Sequence, residues 1–235
     1  MTDLRTPPVN DGDLFSERVR QYAYDRPLQR VQVLEAGCGQ GFGLDLRDVR
    51  RSVTGVDIDL PGLRAHTEGR ADLDSWHLGD LRTVPMPPRA YDVVHASYLI
   101  ERITQAELVL DRFVAALKPG GLLLVRFRDR ATAYGALDRL LPGGLGRLEG
   151  RDGPASIYET VASHQGMQWY CMMRGLMVAE EYAGRAAFDR LGRWRGPVDR
   201  LCRAVTAASR GRLSGDHTEM AMVIRKPENR FARVI

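Results

Sequence analysis

A glycine-rich segment, Glu35-Ala36-Gly37-Cys38-Gly39-Gln40-Gly41, carries the strongest chemical signal in the sequence. It follows a short apolar run and precedes a stretch of helical character. Its glycines allow a sharp turn and let a ligand approach the backbone closely. A helix start after such a turn presents unpaired N–H groups, which bind carboxylates and phosphates. We therefore expect an anionic group to bind here.

Two aspartates stand where further apolar runs end. Asp57 lies 20 residues beyond Gly37, and Asp80 ends the following run. A carboxylate at the first position can accept two hydrogen bonds from ribose hydroxyls, and one at the second could reach an adenine amino group. The dinucleotide pattern G-x-G-x-x-G is not met, because its two possible frames place Phe42 and Leu44 at the third glycine.

These residues must be positioned by alternating strands and helices. Short apolar runs separated by helical or polar stretches are typical of a parallel sheet that is buried on both faces. A helix is predicted between the fourth and fifth runs, ending at Pro119-Gly120-Gly121, and others over Leu14–Tyr24 and 155–173. The predicted strands are residues 31–36, 52–57, 75–80, 91–97, 121–127, 176–182 and 219–225.

Five segments in this order resemble the motifs of class I S-adenosylmethionine-dependent methyltransferases of the small-molecule type. They are E-A-G-C-G-Q-G, V-T-G-V-D-I-D, L-G-D-L, Y-D-V-V-H-A-S and L-K-P-G-G, and they span roughly residues 31–127. The resemblance implies an α/β fold, with an open, doubly wound, seven-stranded and mostly parallel Rossmann-like sheet. It also implies the strand order 3-2-1-4-5-7-6, with the last strand antiparallel.

The resemblance also assigns roles around the cofactor S-adenosyl-L-methionine. The three glycines of the first motif line its methionine end, and Glu35 orders the methionine amino group. Asp57 holds the ribose and Ile58 packs on adenine. The remaining assignments are Asp80 and Leu81 at the adenine edge, Ala96 and Ser97 beside the methionine moiety, and Tyr98 on the acceptor side, in addition to Gly37, Gly39 and Gly41.

Departures from the family pattern narrow the chemistry. Enzymes that methylate adenine or glutamine nitrogen carry Asn-Pro-Pro-Tyr after the fourth strand, whereas this chain has Ser97-Tyr98-Leu99-Ile100. Many small-molecule members carry Glu-His in the next helix, where this chain has Glu101-Arg102. The arginine removes a potential base or metal ligand, so we predict no metal.

A hydroxyl acceptor would need a base, and two histidines are candidates. His164 comes first, because it lies in the helix that normally walls the acceptor pocket; otherwise it is a surface histidine on an amphipathic helix. His95 comes second, because it lies near the donor within the fourth strand. Its alternative role is that of a hydrogen-bonded core residue.

Three segments can form a cap over the acceptor. They are a lead-in at 1–30 and two insertions, 128–154 and 184–216, in a methyltransferase domain at 31–235. In the second insertion, we expect Arg193 and Arg195 to contact an acidic or polyhydroxylated group, with Trp194 packing on a ring. The alternative is a helix docked on the core with its arginines facing solvent.

Composition narrows the location and the partners that the protein can have. The chain has 235 residues, 44% of them hydrophobic, a formal charge of +4 and three widely spaced cysteines. Apolar runs are too short for a membrane helix and no signal-peptide pattern is present, so we predict a cytoplasmic protein. Interspersed charges and the lack of a lysine-rich tail argue against nucleic acid, while a homodimer remains open.

The sequence thus predicts methyl transfer to a small molecule, most simply to a hydroxyl oxygen of a secondary metabolite or glycan. Two alternatives stay open, because fold and cofactor do not fix the reaction. One is N-methylation of a small amine. The other is a protein that keeps the cofactor site for a structural role or for a rearrangement without methyl transfer.

Overall fold

The strands form one seven-stranded sheet in the order β3-β2-β1-β4-β5-β7-β6. The computed structural model describes residues 13–39, 43–141, 144–145 and 156–228, so the predicted ligand-binding residue Gly41 lies outside it. β7 runs antiparallel to its neighbours and the other pairings are parallel, which confirms the predicted topology. The strands are β1 Val31–Ala36, β2 Arg51–Asp57, β3 Ser75–Leu78, β4 Tyr91–Ser97, β5 Leu117–Arg128, β6 Met177–Gly184 and β7 Glu219–Arg225.

In the described part of the chain, seven α-helices flank the sheet or lie in the two insertions. They are α1 Leu14–Tyr24, α2 Pro61–Glu68, α3 Ala106–Ala116, α4 Ala133–Leu140, α5 His164–Met173, α6 Ala186–Arg190 and α7 Arg195–Ala208. Apolar side chains of α1 cover one face of the central strands, and those of α3 and α5 cover the other. Because successive strand residues point to opposite faces, each buried strand contributes to both cores. Among the described residues, no helix is long and apolar enough to cross a membrane.

Helix α5 is shorter than the predicted helix over 155–173. Residues 156–159 are irregular, and the N–H groups of Ile157 and Tyr158 donate to the carbonyl oxygen of Glu101 rather than to a preceding turn. The hydroxyl of Ser163 then accepts a hydrogen bond from Gly166 N at 3.0 Å, which caps the helix and sets its first residue at His164.

Strand β5 begins earlier than predicted. Helix α3 ends at Ala116, and the strand starts at Leu117 instead of residue 121. Gly120 has φ +77°, a left-handed conformation that suits glycine. The Pro119-Gly120-Gly121 segment therefore belongs to an irregular strand start and follows the helix end.

The two insertions pack against each other. Apolar side chains of α4 meet those of α6 and α7 in a third cluster, separate from the two sheet cores, which we call the cap cluster. A bridge between Thr132 and Ser214 joins the beginning of one insertion to the end of the other. The buried members of the cap cluster are Ala133, Tyr134, Leu137, Leu145, Ala187, Phe188, Leu191, Val198 and Cys202.

Candidate active site

A cavity of about 1290 Å³ opens at the carboxyl edge of the parallel strands. Open α/β sheets bind ligands at this edge, where the strand order reverses direction. Predicted cofactor residues from β1 and β2 line one side of it, and residues from β4, β5 and α6 line the other. The predicted residues that it brings together are Glu35, Gly37, Gly39, Asp57, Ile58, Asp80, Leu81, His95, Ser97 and Tyr98.

The turn after β1 is held against the end of β2 by backbone contacts. Gly37 has φ +81°, and its N–H donates to the carbonyl oxygen of Val56 at 2.8 Å. Gly39 N donates to Oδ2 of Asp57 at 2.7 Å. A Cβ on Gly39 would lie only 2.7 Å from Cβ of Leu63 and 2.8 Å from that aspartate oxygen. The turn can close this tightly only because glycine occupies the position.

Asp57 is a buried carboxylate with both oxygens partly occupied. Its Oδ1 accepts from Ile58 N at 2.7 Å, in addition to the bond from Gly39. Burial raises the pKa of Asp57, and the two N–H donors oppose that rise only in part. Each oxygen keeps a further lone pair for a hydroxyl, and Ile58, 40% exposed, offers an apolar surface beside it.

Asp80 is paired with an arginine. Its carboxylate forms an ion pair with Arg82, at 2.6 Å from Nη2, and also accepts from the Arg82 backbone N–H. These contacts lower the pKa of Asp80 to about 2. The side chain lines the cavity and is exposed, so an adenine amino group would share this carboxylate with an arginine. Leu81 is buried beside it.

A hydrogen-bonded chain of three side chains lies at the centre of the site. Oε2 of Glu35 is 2.7 Å from Nδ1 of His95, and Oγ of Ser97 is 2.8 Å from Nε2 of the same ring. With Glu35 as a carboxylate, Nδ1 carries the proton and donates it. Nε2 is then the hydrogen-bond acceptor, and it lies on the cavity side of the ring beside the hydroxyl of Ser97. This arrangement can hold a proton taken from a ligand.

Ala96, predicted to border the methionine moiety, has its side chain outside the described cavity lining. Ala96 is buried on the opposite face of β4, in the core that contains α3, and it is absent from the described cavity lining. Side chains alternate along a strand, so His95 and Ser97 face the cavity and the residue between them cannot.

Tyr98 follows β4 in a strained conformation and meets an arginine from the second insertion. Its φ is +55°, uncommon for a residue with a side chain. Its hydroxyl donates to Oε2 of Glu219 at 2.8 Å, and the guanidinium of Arg190 lies 4.5 Å from the ring centroid. Burial, followed by the nearby Glu219 charge, raises the pKa of Tyr98, so the hydroxyl remains protonated as a donor.

Asp13, Arg126 and Arg190 are among the cavity-wall residues that sequence reasoning did not assign to the site. Arg126 stands in the apolar strand β5, at the same face as Leu122 and Leu124, which was a usable signal. Its guanidinium lies 5.1 Å from the ring centroid of Phe15 and forms an ion pair of 3.5 Å with Asp13 at the start of α1.

His164, the first choice for a base, lies away from the cavity. It is the first residue of α5, and its Nε2 is 3.0 Å from Oε2 of Glu181 on β6. It does not belong to the described cavity lining. Helix α5 begins only at His164, and this residue faces the neighbouring strand β6, where it links helix and sheet.

Arg193 and Arg195, the predicted acceptor contacts, also lie outside the described lining. Arg195 forms an exposed ion pair with Asp189 at 2.7 Å, and Arg193 lies over the ring of Trp194. The reason is helical geometry: the buried Phe188 and Leu191 fix α6 against the cap cluster, which brings Arg190 to the cavity instead.

The side chains that line the cavity are compatible with S-adenosylmethionine. Glu35 offers an acceptor for an ammonium group, Asp57 for ribose hydroxyls and Ile58 an apolar surface for a base, all in one cavity. Within the described part of the chain, no group of three or more histidine, cysteine or acidic residues is arranged to hold a metal ion.

Comparison with known sequences supports the same chemistry. A family described as "Methyltransferase domain" matches residues 12–202. A Mycolicibacterium smegmatis protein named as an S-adenosylmethionine-dependent methyltransferase is 36% identical over 137 residues, covering 56% of this chain and 52% of that protein. The malonyl-[acyl-carrier protein] O-methyltransferase of Serratia marcescens is 31% identical over 94 residues, covering 40% of this chain and 36% of its own. The chain thus spans about half or less of the length of these relatives.

A solved structure shares the fold. The phosphoethanolamine N-methyltransferase 2 of Haemonchus contortus, in complex with S-adenosyl-L-methionine, aligns with a TM-score of 0.56 at 16% sequence identity. The alignment covers 91% of this chain and 53% of that chain. At this identity the likeness concerns the arrangement of strands and helices, and it says nothing about the acceptor.

Proposed function

Because this chain belongs to the class I S-adenosylmethionine-dependent methyltransferases, we propose that it methylates a hydroxyl oxygen of a small molecule. A secondary metabolite or a glycan is the acceptor class that we favour. The O-methyltransferase among its relatives supports oxygen as the receiving atom. The observation that carries the proposal is the Glu35–His95–Ser97 chain on the cavity wall.

His95 is the proposed base. An amine acceptor needs no strong base, whereas a hydroxyl must lose its proton as the new bond forms. The carboxylate of Glu35 holds the imidazole so that Nε2 can accept a proton, directly or through the hydroxyl of Ser97. The alternative role that the sequence analysis gave His95 is that of a hydrogen-bonded core residue. A purely structural role would leave without function a polar ring that lines a ligand cavity.

The remaining site residues bind the cofactor and orient its methyl group. When bound, S-adenosylmethionine supplies a methyl group that its sulfonium makes strongly electrophilic. We propose that Glu35 also holds the ammonium group, and that Asp57 holds the ribose. Ile58 and Leu81 then enclose the adenine ring. Alignment of donor and acceptor accounts for most of the rate in such a reaction, so these contacts act mainly through position.

Two successive measurements test the proposal. Calorimetry with the demethylated cofactor S-adenosylhomocysteine should give micromolar binding, and no heat of binding from folded protein would overturn the cofactor assignment. Transfer of a labelled methyl group from S-adenosylmethionine to small molecules of cell extracts, followed by mass spectrometry, should give methyl ethers. Exclusive recovery of N-methylated products would overturn the oxygen acceptor.

A further inference from the structure

Two arginines line the cavity at the end remote from the predicted cofactor carboxylates. Arg126 comes from β5 and Arg190 from α6, whereas Asp57 ends β2 and Asp80 follows β3. In the sheet order, β5 lies on the far side of β1 and β4 from β2. The arginine end of the cavity is therefore the part left for the acceptor when a nucleoside binds near Asp57.

Arg190 is oriented by the ring beneath it. Its guanidinium lies over Tyr98, 4.5 Å from the ring centroid. The ring is held in turn by its hydroxyl bond to Glu219, and the Tyr98 backbone N–H donates to the carbonyl oxygen of Arg126 at 2.6 Å. A cation–π contact of this kind uses none of the five N–H donors of the guanidinium, so they can match a carboxylate in a bidentate manner.

The charges around this end leave room for an anion. Asp13 faces Arg126, and Glu219 accepts the Tyr98 hydroxyl. Among the described residues, no carboxylate forms an ion pair with Arg190. Arginine can only donate hydrogen bonds, so it is best matched by a group that only accepts, and a carboxylate is such a group while a hydroxyl is not.

We infer that the acceptor is a hydroxycarboxylic acid whose carboxylate binds Arg190, with Arg126 beside it, and whose hydroxyl is the atom methylated. The inference rests on the proposed O-methylation and narrows it. The hydroxyl oxygen forms a bond to the methyl carbon, the carbon–sulfur bond breaks with its electron pair left on sulfur, and the hydroxyl proton passes to His95. The products are the methyl ether of the acid and S-adenosylhomocysteine.

The test separates carboxylate recognition from catalysis. The protein is saturated with S-adenosylhomocysteine and titrated with hydroxybenzoates and aliphatic 3-hydroxy acids, each beside its matching primary amide. Acids should bind at least about 10-fold more tightly than amides, because a charged partner is lost in the amide. This preference should disappear in Arg190→Ala and fall in Arg190→Lys, which keeps the charge but loses the planar fork.

Arg193→Ala and Arg195→Ala are the matched controls. Both remove an arginine from the same insertion, outside the described cavity lining, and both should keep the acid preference. Unchanged S-adenosylhomocysteine affinity in Arg190→Ala shows that the variant is folded. Equal binding of acids and amides, no binding of any acid, or a preference that survives Arg190→Ala would overturn the inference. Methyl ethers formed on neutral hydroxyls would overturn it while leaving the proposed O-methylation intact.

Discussion

Glu35 and His95 are direct partners across two neighbouring parallel strands, and their side chains meet at 2.7 Å between Oε2 and Nδ1. Both backbones are fixed by the sheet ladder, so neither side chain has to be ordered by a ligand. The imidazole is further held at its edge by Phe15, whose ring centroid lies 5.5 Å away. The proposed base, placed in this way, would be oriented before any acceptor arrives.

Substitution of His95, the proposed base, should affect turnover more than binding. In His95→Gln, we expect kcat to fall by about 100- to 10,000-fold, the usual contribution of a positioned base. Affinity for S-adenosylhomocysteine, measured by calorimetry, should change little. His164→Gln is the control, because that ring contacts Glu181 away from the cavity, and its kcat should stay near that of the wild type. Equal rate losses in the two variants would contradict the assignment.

The turn after β1 should tolerate no side chain at Gly39. In Gly39→Ala, the new Cβ would overlap Leu63 and the Asp57 carboxylate, so the turn must shift. Overpacking of this kind costs about 1–3 kcal/mol, and we expect S-adenosylhomocysteine affinity to fall about 10-fold or more. Gly196→Ala, where a Cβ would meet nothing within 4 Å, should bind normally. Unchanged calorimetric affinity in Gly39→Ala would separate the turn from the cofactor.

Cofactor binding should weaken in acid through Asp57. Burial raises its pKa above the ordinary 3.8, so it takes up a proton at a higher pH than most aspartates. Ribose hydroxyls favour the carboxylate form, so affinity should be constant near neutral pH and fall as the pH approaches that raised pKa. Asp80, with a pKa of about 2, stays charged over this range.

The matching variant is Asp57→Ala. It should lose about 10- to 100-fold in S-adenosylhomocysteine affinity, which corresponds to hydrogen bonds to a charged group. The acid-dependent fall should vanish with the carboxylate. Calorimetric titrations at several pH values, on protein whose circular dichroism is unchanged, decide the matter. An identical pH profile in the two proteins would assign the effect to another group.

The Tyr98 hydroxyl should contribute to stability. In Tyr98→Phe, buried Glu219 loses that donor, and we expect the free energy of unfolding to fall by about 1–3 kcal/mol. Urea unfolding measures this change. Tyr24→Phe, at a side chain that is 82% exposed, should lie within about 0.5 kcal/mol of the wild type. Similar values for both variants would show that the Tyr98–Glu219 bond is dispensable.

The sheet, and the position of Glu35 and Asp57 at its carboxyl edge, could be predicted from the sequence because local signals determine them. Apolar runs specify buried strands, and the carboxyl ends of parallel strands share one edge, which brings Glu35 and Asp57 together. Strict alternation along β4 would also have placed the Ala96 side chain on the face opposite His95 and Ser97.

The acceptor end could not be predicted, because it depends on how separate segments pack. Which arginine of the second insertion reaches the cavity follows from the docking of Phe188 and Leu191 on α4, a contact between distant parts of the chain. The pairing of His164 with Glu181 similarly requires the relative positions of α5 and β6. Sequence spacing contains neither relationship.

The cap cluster has an evolutionary consequence. Its buried side chains come from the two insertions and are separate from the cores that support the sheet. Substitutions within it can tilt α6, and with it Arg190, while the strands beneath the nucleoside keep their packing. If Arg190 contacts the acceptor as proposed, descendants of such a chain can change the molecules they modify through repacking of the cap, without first rebuilding the strands at the proposed donor site.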